Sequence, residues 1–104
     1  MKQLQIKKGE RESEAFTLGH FQLVTVFVPE YSKASNFFLY GSPDGLNFGK
    51  VQDFAGQPIV YPLDLYYIQT LDPDWSTGLM YIKFVLPEPA LETLTFGLYL
   101  LEGR

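Results

Sequence analysis

The chain has 104 residues, a net charge of −4 and no cysteine. At roughly 100–200 residues per domain this is a single domain, 1–104, and 46% hydrophobic residues is too many for a disordered chain. The missing cysteine excludes disulfides, a thiolate nucleophile and a Cys-ligated zinc site, and the acidic balance argues against nucleic acid as a partner.

Residues 2–8 alternate, with Leu4 and Ile6 on one side and Gln3, Gln5 and Lys7 on the other, which predicts a half-buried strand near a sheet edge. A signal peptide needs an uninterrupted apolar stretch here, and no run in the chain approaches the ~18 apolar residues of a membrane span. The expected setting is therefore synthesis in a cytoplasm, with no membrane partner. Residues 1–14 hold four basic groups (Lys2, Lys7, Lys8, Arg11) and three acidic ones (Glu10, Glu12, Glu14). This mixed run reads as a solvated turn or, more sharply, as an N-terminal arm that pairs with a neighbouring subunit. On that reading Leu4 and Ile6 are interface candidates, and the arm is a strand exchanged between copies.

A short strand over 15–18 ends at Gly19, and a longer one follows over 21–28. There Phe21, Leu23 and Phe27 occupy one face and Val24, Val26 and Val28 the other. A strand apolar on both faces needs cover on both, and in so small a chain a second subunit would supply it. Pro29 stops the strand because it has no N–H to donate.

Residues 36–41 put Phe37 and Leu39 opposite Phe38 and Tyr40. Ser42-Pro43-Asp44-Gly45 is a turn, with proline presetting φ and glycine accepting a positive φ, so 36–51 reads as a hairpin. A second turn covers 55–58, and a short strand over 59–61 stops at Pro62. A strand over 65–71 precedes a loop over 72–78. In 79–86, Met80, Ile82, Phe84 and Leu86 share a face, and Pro87-Glu88-Pro89 ends that strand. Residues 90–92 are expected to add one helical turn behind Pro89. In 93–101, Leu94, Phe96, Leu98 and Leu100 share a face. About eight strands separated by Gly/Pro turns predict an all-β antiparallel sandwich or jelly roll.

No constellation of catalytic or metal-ligating residues stands out. His20 is the single histidine and sits in a turn. Asp72-Pro73-Asp74 has an intervening proline and no bidentate glutamate after it, so it reads as a turn and not as a calcium loop. Gly41, Gly45 and Gly49 lie in a hairpin and not before a helix, which excludes a phosphate loop. The expectation is a non-enzyme with no catalytic, metal or cofactor-binding residue. Phe16, Phe21, Phe27, Phe37, Phe84 and Phe96 are expected in the core. Tyr40, Tyr81 and Tyr99 lie opposite the inward set of their strands, Tyr66 and Tyr67 point to opposite faces, and Trp75 sits in a polar loop. These six aromatics join Leu4 and Ile6 as interface candidates, because tyrosine and tryptophan bury area at protein contacts with little entropy loss.

The segment Ser35-Asn36-Phe37-Phe38-Leu39-Tyr40-Gly41-Ser42-Pro43-Asp44-Gly45-Leu46-Asn47-Phe48-Gly49-Lys50-Val51 resembles a hairpin of discoidin-like β-sandwiches that carries S-x-D-G-x-N-F. Tyr81-Ile82-Lys83-Phe84 resembles the later strand of that fold, and 94–101 its final apolar strand. This order is similar to that of small virion proteins of tailed bacteriophages, on the head or tail. The resemblance implies a structural subunit of a virion, most simply a capsid decoration or cement protein. Such a subunit would work as a homo-oligomer, with a trimer favoured, and bind a major capsid protein or another virion protein. A carbohydrate-binding module, with a glycan on Trp75, Tyr66 or Tyr67, and a tail or neck adaptor are the alternatives.

Overall fold

The computed structural model describes residues 2–29, 31, 36–52, 55–58, 60–63, 67–70 and 79–102, and these form nine strands and no helix. In chain order they are β1 Lys2–Ile6, β2 Phe16–Thr17, β3 Phe21–Val28, β4 Asn36–Ser42, β5 Gly49–Lys50, β6 Val60–Pro62, β7 Tyr67–Thr70, β8 Tyr81–Val85 and β9 Leu94–Glu102. Two antiparallel sheets result. One has the order β1-β9-β3-β7; in the other, β2-β8-β4-β5, β6 also pairs with β4.

The order has a simple origin. The first half of the chain pairs with the second: β1 with β9, β2 with β8, β3 with β7, and β4 with β5 and β6. The chain is one long antiparallel ribbon bent across itself, and the added pairs β3–β9 and β4–β8 close it into two layers. This is the jelly-roll arrangement, in which each half of the ribbon crosses from one sheet to the other.

Alternation places the core between the layers. Phe37 from β4, Phe84 from β8 and Phe96 from β9 are fully buried and meet as a trio, with ring centroids 4.8–5.1 Å apart and interplanar angles of 55–63°. Tilted and edge-on contacts of this kind set the positive ring edge against the negative ring face. Ile6, Leu18, Leu23, Leu39, Ile82 and Leu98 pack around them.

Three expectations need correction. First, among its described side chains β3 does not present two continuous apolar faces. Its register against β9 shifts between Leu23 and Thr25, a β-bulge that advances the alternation by one residue. Leu23 therefore joins Val26 and Val28 on the inner face, all with no exposed area, while Phe27 is half-buried and Phe21 is 42% exposed. Second, residues 2–14 are laced into the chain's own sandwich and do not form a free arm. Gly9 N–H donates to Ala90 O, Leu86 N–H to Arg11 O, and Ser13 N–H to Phe84 O. Third, residues 90–92 form no helical turn; 91–92 are a bend. The Ala90 N–H is spent on Glu10 O and its carbonyl on Gly9, so this backbone is tied sideways to the N-terminal segment.

Candidate interaction surface

The outer side of the β2-β8-β4-β5 sheet carries a dense group of rings and charges. Tyr40 in β4 pairs on one side with Lys83 of β8 and on the other with Lys50 of β5. A row Lys83–Tyr40–Lys50 thus crosses three adjacent strands, with neighbours about 5 Å apart. The Lys83 ammonium lies 4.5 Å from the centroid of Phe48, and that of Lys50 lies 4.7 Å from the centroid of Phe38. Glu12, which bridges to Val85 at the end of β8, forms an ion pair with Lys83. Arg11, Glu12, Tyr40, Phe48, Lys83 and Val85 line a shallow groove of about 280 Å³.

The hairpin turn after β4 fixes one wall of this groove. Ser42 Oγ donates to Asp44 Oδ1 (2.9 Å) and accepts the Gly45 N–H (2.9 Å). Asp44 Oδ1 also accepts the N–H groups of Leu46 and Asn47 (both 2.9 Å), and its Oδ2 accepts the Asn47 amide (2.9 Å). The backbone N–H groups of Asn47 and Leu46, then the Asn47 and Ser42 side chains, hold the Asp44 carboxyl well below the usual aspartate range. Gly45 has φ +80°, and the Tyr81 ring stands 3.1 Å from where a Cβ would be, so this position accepts glycine and little else. The turn is rigid, and it holds Phe48 where Lys83 can cover it.

A second exposed feature lies at the strand ends beside this turn. Met80 N–H donates to Ser42 O, Leu18 N–H to Met80 O, and Phe21 N–H to Leu18 O, so the ends of β4, β8, β2 and β3 are stitched in one line. Leu46, Met80 and Phe21 project there, with Leu46 85% exposed, and Tyr99 and Leu101 stand on the closing part of β9.

The expected interface residues separate clearly. Tyr40 and Tyr81 are half-buried on the outer face just described, and Tyr99 is 49% exposed on the other sheet. Leu4 and Ile6 are turned into the chain's own core. Their register against Phe96 and Leu94 points them inward, and both are buried there. Tyr66 and Trp75 lie outside the described residues, and only the place of Tyr67 in β7 is described. Sequence reasoning missed Arg11, Glu12, Phe38, Phe48, Lys50 and Lys83. The available signal was Tyr81-Ile82-Lys83-Phe84, where a lysine takes the outward position of a strand whose inward residues are fully apolar.

His20 is exposed in the turn before β3, and among the described residues no group of three or more His, Asp or Glu side chains is placed to hold a metal ion. Among the same residues no helix is long and apolar enough to cross a membrane. Comparison with protein-family models, curated proteins and solved structures yields no match to this chain.

Proposed function

We propose that this chain is a non-enzymatic structural protein of a tailed-phage virion, a decoration or cement subunit that binds the head shell and works as a homo-oligomer, a trimer being favoured. The observation that carries the reading is the outer face of β4 and β8. Phe38, Tyr40 and Tyr81 are spent there on a surface that the chain's own core does not need. The resemblance of the 35–51 hairpin and of residues 81–84 to small virion sandwiches gives the face its setting. Neighbours that bind only the assembled form stabilise the shell by mass action, and a closed cyclic oligomer repeats the same contact around the particle.

A glycan-binding module, with the sugar on Trp75, Tyr66 or Tyr67, is the second reading; the side chains it names lie outside the described residues. The test is sedimentation of the purified chain with purified capsid shells, beside light scattering of the chain alone. Co-sedimentation at hundreds of copies per particle and an oligomeric mass are expected. A monomer at high concentration that stays in the supernatant overturns the proposal.

A further inference from the structure

We infer that the Lys83–Tyr40–Lys50 row is the docking site for an acidic polypeptide segment of the partner protein. This rests on the reading of the chain as an assembly subunit and names the chemistry of what its outer sheet meets. The first argument is charge. The chain is acidic as a whole, at −4, yet Arg11 and Lys83 line the groove and Lys50 stands across Tyr40 from Lys83, with Glu12, paired to Lys83, and Asp44 in the adjoining turn as the acids of this face among the described residues. A positive face on a negative molecule attracts an acidic segment, while the like net charge of two whole copies opposes their approach at long range.

Preorganisation is the second argument. Lys83 is held by Glu12 and Phe48, and Lys50 lies over Phe38 with no acidic partner among the described residues. Cations already laid across a sheet lose little side-chain freedom when a carboxylate arrives. Tyr40 stands between them and offers a phenolic O–H to the same ligand. An extended chain crossing β8, β4 and β5 meets Lys83, Tyr40 and Lys50 in turn. Its acidic side chains would reach Lys50 directly and compete with Glu12 for Lys83. An acidic polysaccharide has the charge but finds the Phe38 and Phe48 faces covered, and both it and duplex DNA are set against the peptide in the test.

The experiment titrates a polyglutamate peptide into the full chain and follows backbone amide and lysine Nζ signals by NMR at low and moderate salt. Alginate and a short DNA duplex serve as separate probes. Shifts confined to Lys50, Lys83, Tyr40 and Arg11 are expected, with affinity falling about tenfold as salt rises. Lys50→Glu should weaken peptide binding about fivefold or more. Lys50→Gln, a milder change, should weaken it less and serves if the reversal disturbs folding. No shift with the peptide, shifts elsewhere, affinity unchanged in both variants, or stronger binding of alginate or DNA each overturns the inference. If shells still take up Lys50→Glu as the native chain, the acidic docking site is wrong while the assembly role stands. If the native chain binds no shell, the assembly role itself falls.

Discussion

Phe37 and Phe38 are adjacent in sequence and chemically identical, and they live in different physical worlds. Phe37 points between the sheets, fully buried, with its ring against Phe84 and Phe96. Phe38 points out of the same strand, half-buried, with a lysine ammonium over its face. Inside, rings satisfy one another and the gain is area removed from water. Outside, rings serve as supports that hold cations in place. Aromatic content alone therefore says little about core size in this chain; the parity of each position decides which job a ring does.

Truncating the two neighbours gives the largest contrast. Phe37→Ala removes one ring of a closed trio and leaves a cavity, so it should cost about 3–5 kcal/mol. Phe38→Ala loses partial burial and one exposed cation–π contact, and should cost about 1 kcal/mol. Urea unfolding with unchanged slopes measures both. Equal losses would mean that the outer face is as tightly packed as the core.

The next effect concerns the turn that joins the two worlds. Gly45→Ala places a Cβ at φ +80° and 3.1 Å from the Tyr81 ring. A left-handed backbone costs an L-residue roughly 1–2 kcal/mol, and the ring contact adds to that. Thermal unfolding should show this loss, and the NMR signals of Phe48 and Tyr81 should move with it. An unchanged melting temperature would show that the turn relaxes at no cost.

Much of the sandwich was legible in sequence because period-2 alternation reports parity directly. Leu94, Phe96 and Leu98 in 93–101 and Ile82, Phe84 and Leu86 in 79–86 are the inward residues that alternation names, with Met80 the exception, exposed at the strand's end, and Ser42-Pro43-Asp44-Gly45 names its turn and the hairpin around it. Parity fails where a residue is inserted. The bulge between Leu23 and Thr25 turns an apparently two-faced strand into a one-faced one, and no local signal marks it. Leu4 and Ile6 read as interface residues because burial depends on which strand they meet, and the meeting with β9 spans most of the chain. The cationic row was illegible for the same reason. Lys50, Lys83 and Glu12 lie far apart in sequence, and only the ribbon's cross-strand register unites them.

A smaller effect tests whether the outer charges serve stability. Lys83→Met keeps the side chain's length over Phe48 and removes the charge that pairs with Glu12. Partly exposed ion pairs contribute about 0–1 kcal/mol, so stability should change by less than about 1 kcal/mol in either direction. A loss near that of Phe37→Ala would place Lys83 among the structural supports of the fold and detach it from any binding role.

The smallest effect is the acid response of the turn. The Asp44 carboxylate accepts hydrogen bonds from Asn47, Leu46 and Ser42, which favour its charged form and lower its pKa in the folded chain. A lowered folded-state pKa makes its contribution complete above the unfolded value of ~3.9 and lost only as pH falls through the folded value. The amide signals of Leu46 and Asn47 should therefore keep their native positions through the range where ordinary aspartates take up a proton, and move only in stronger acid. Asp44→Asn keeps the shape and removes the charge, so these two amides should lose that acid step. A midpoint near ~3.9 in the native chain would mean that the four hydrogen bonds favour neither protonation state, and that the rigidity of the turn rests on Ser42 and Gly45 instead.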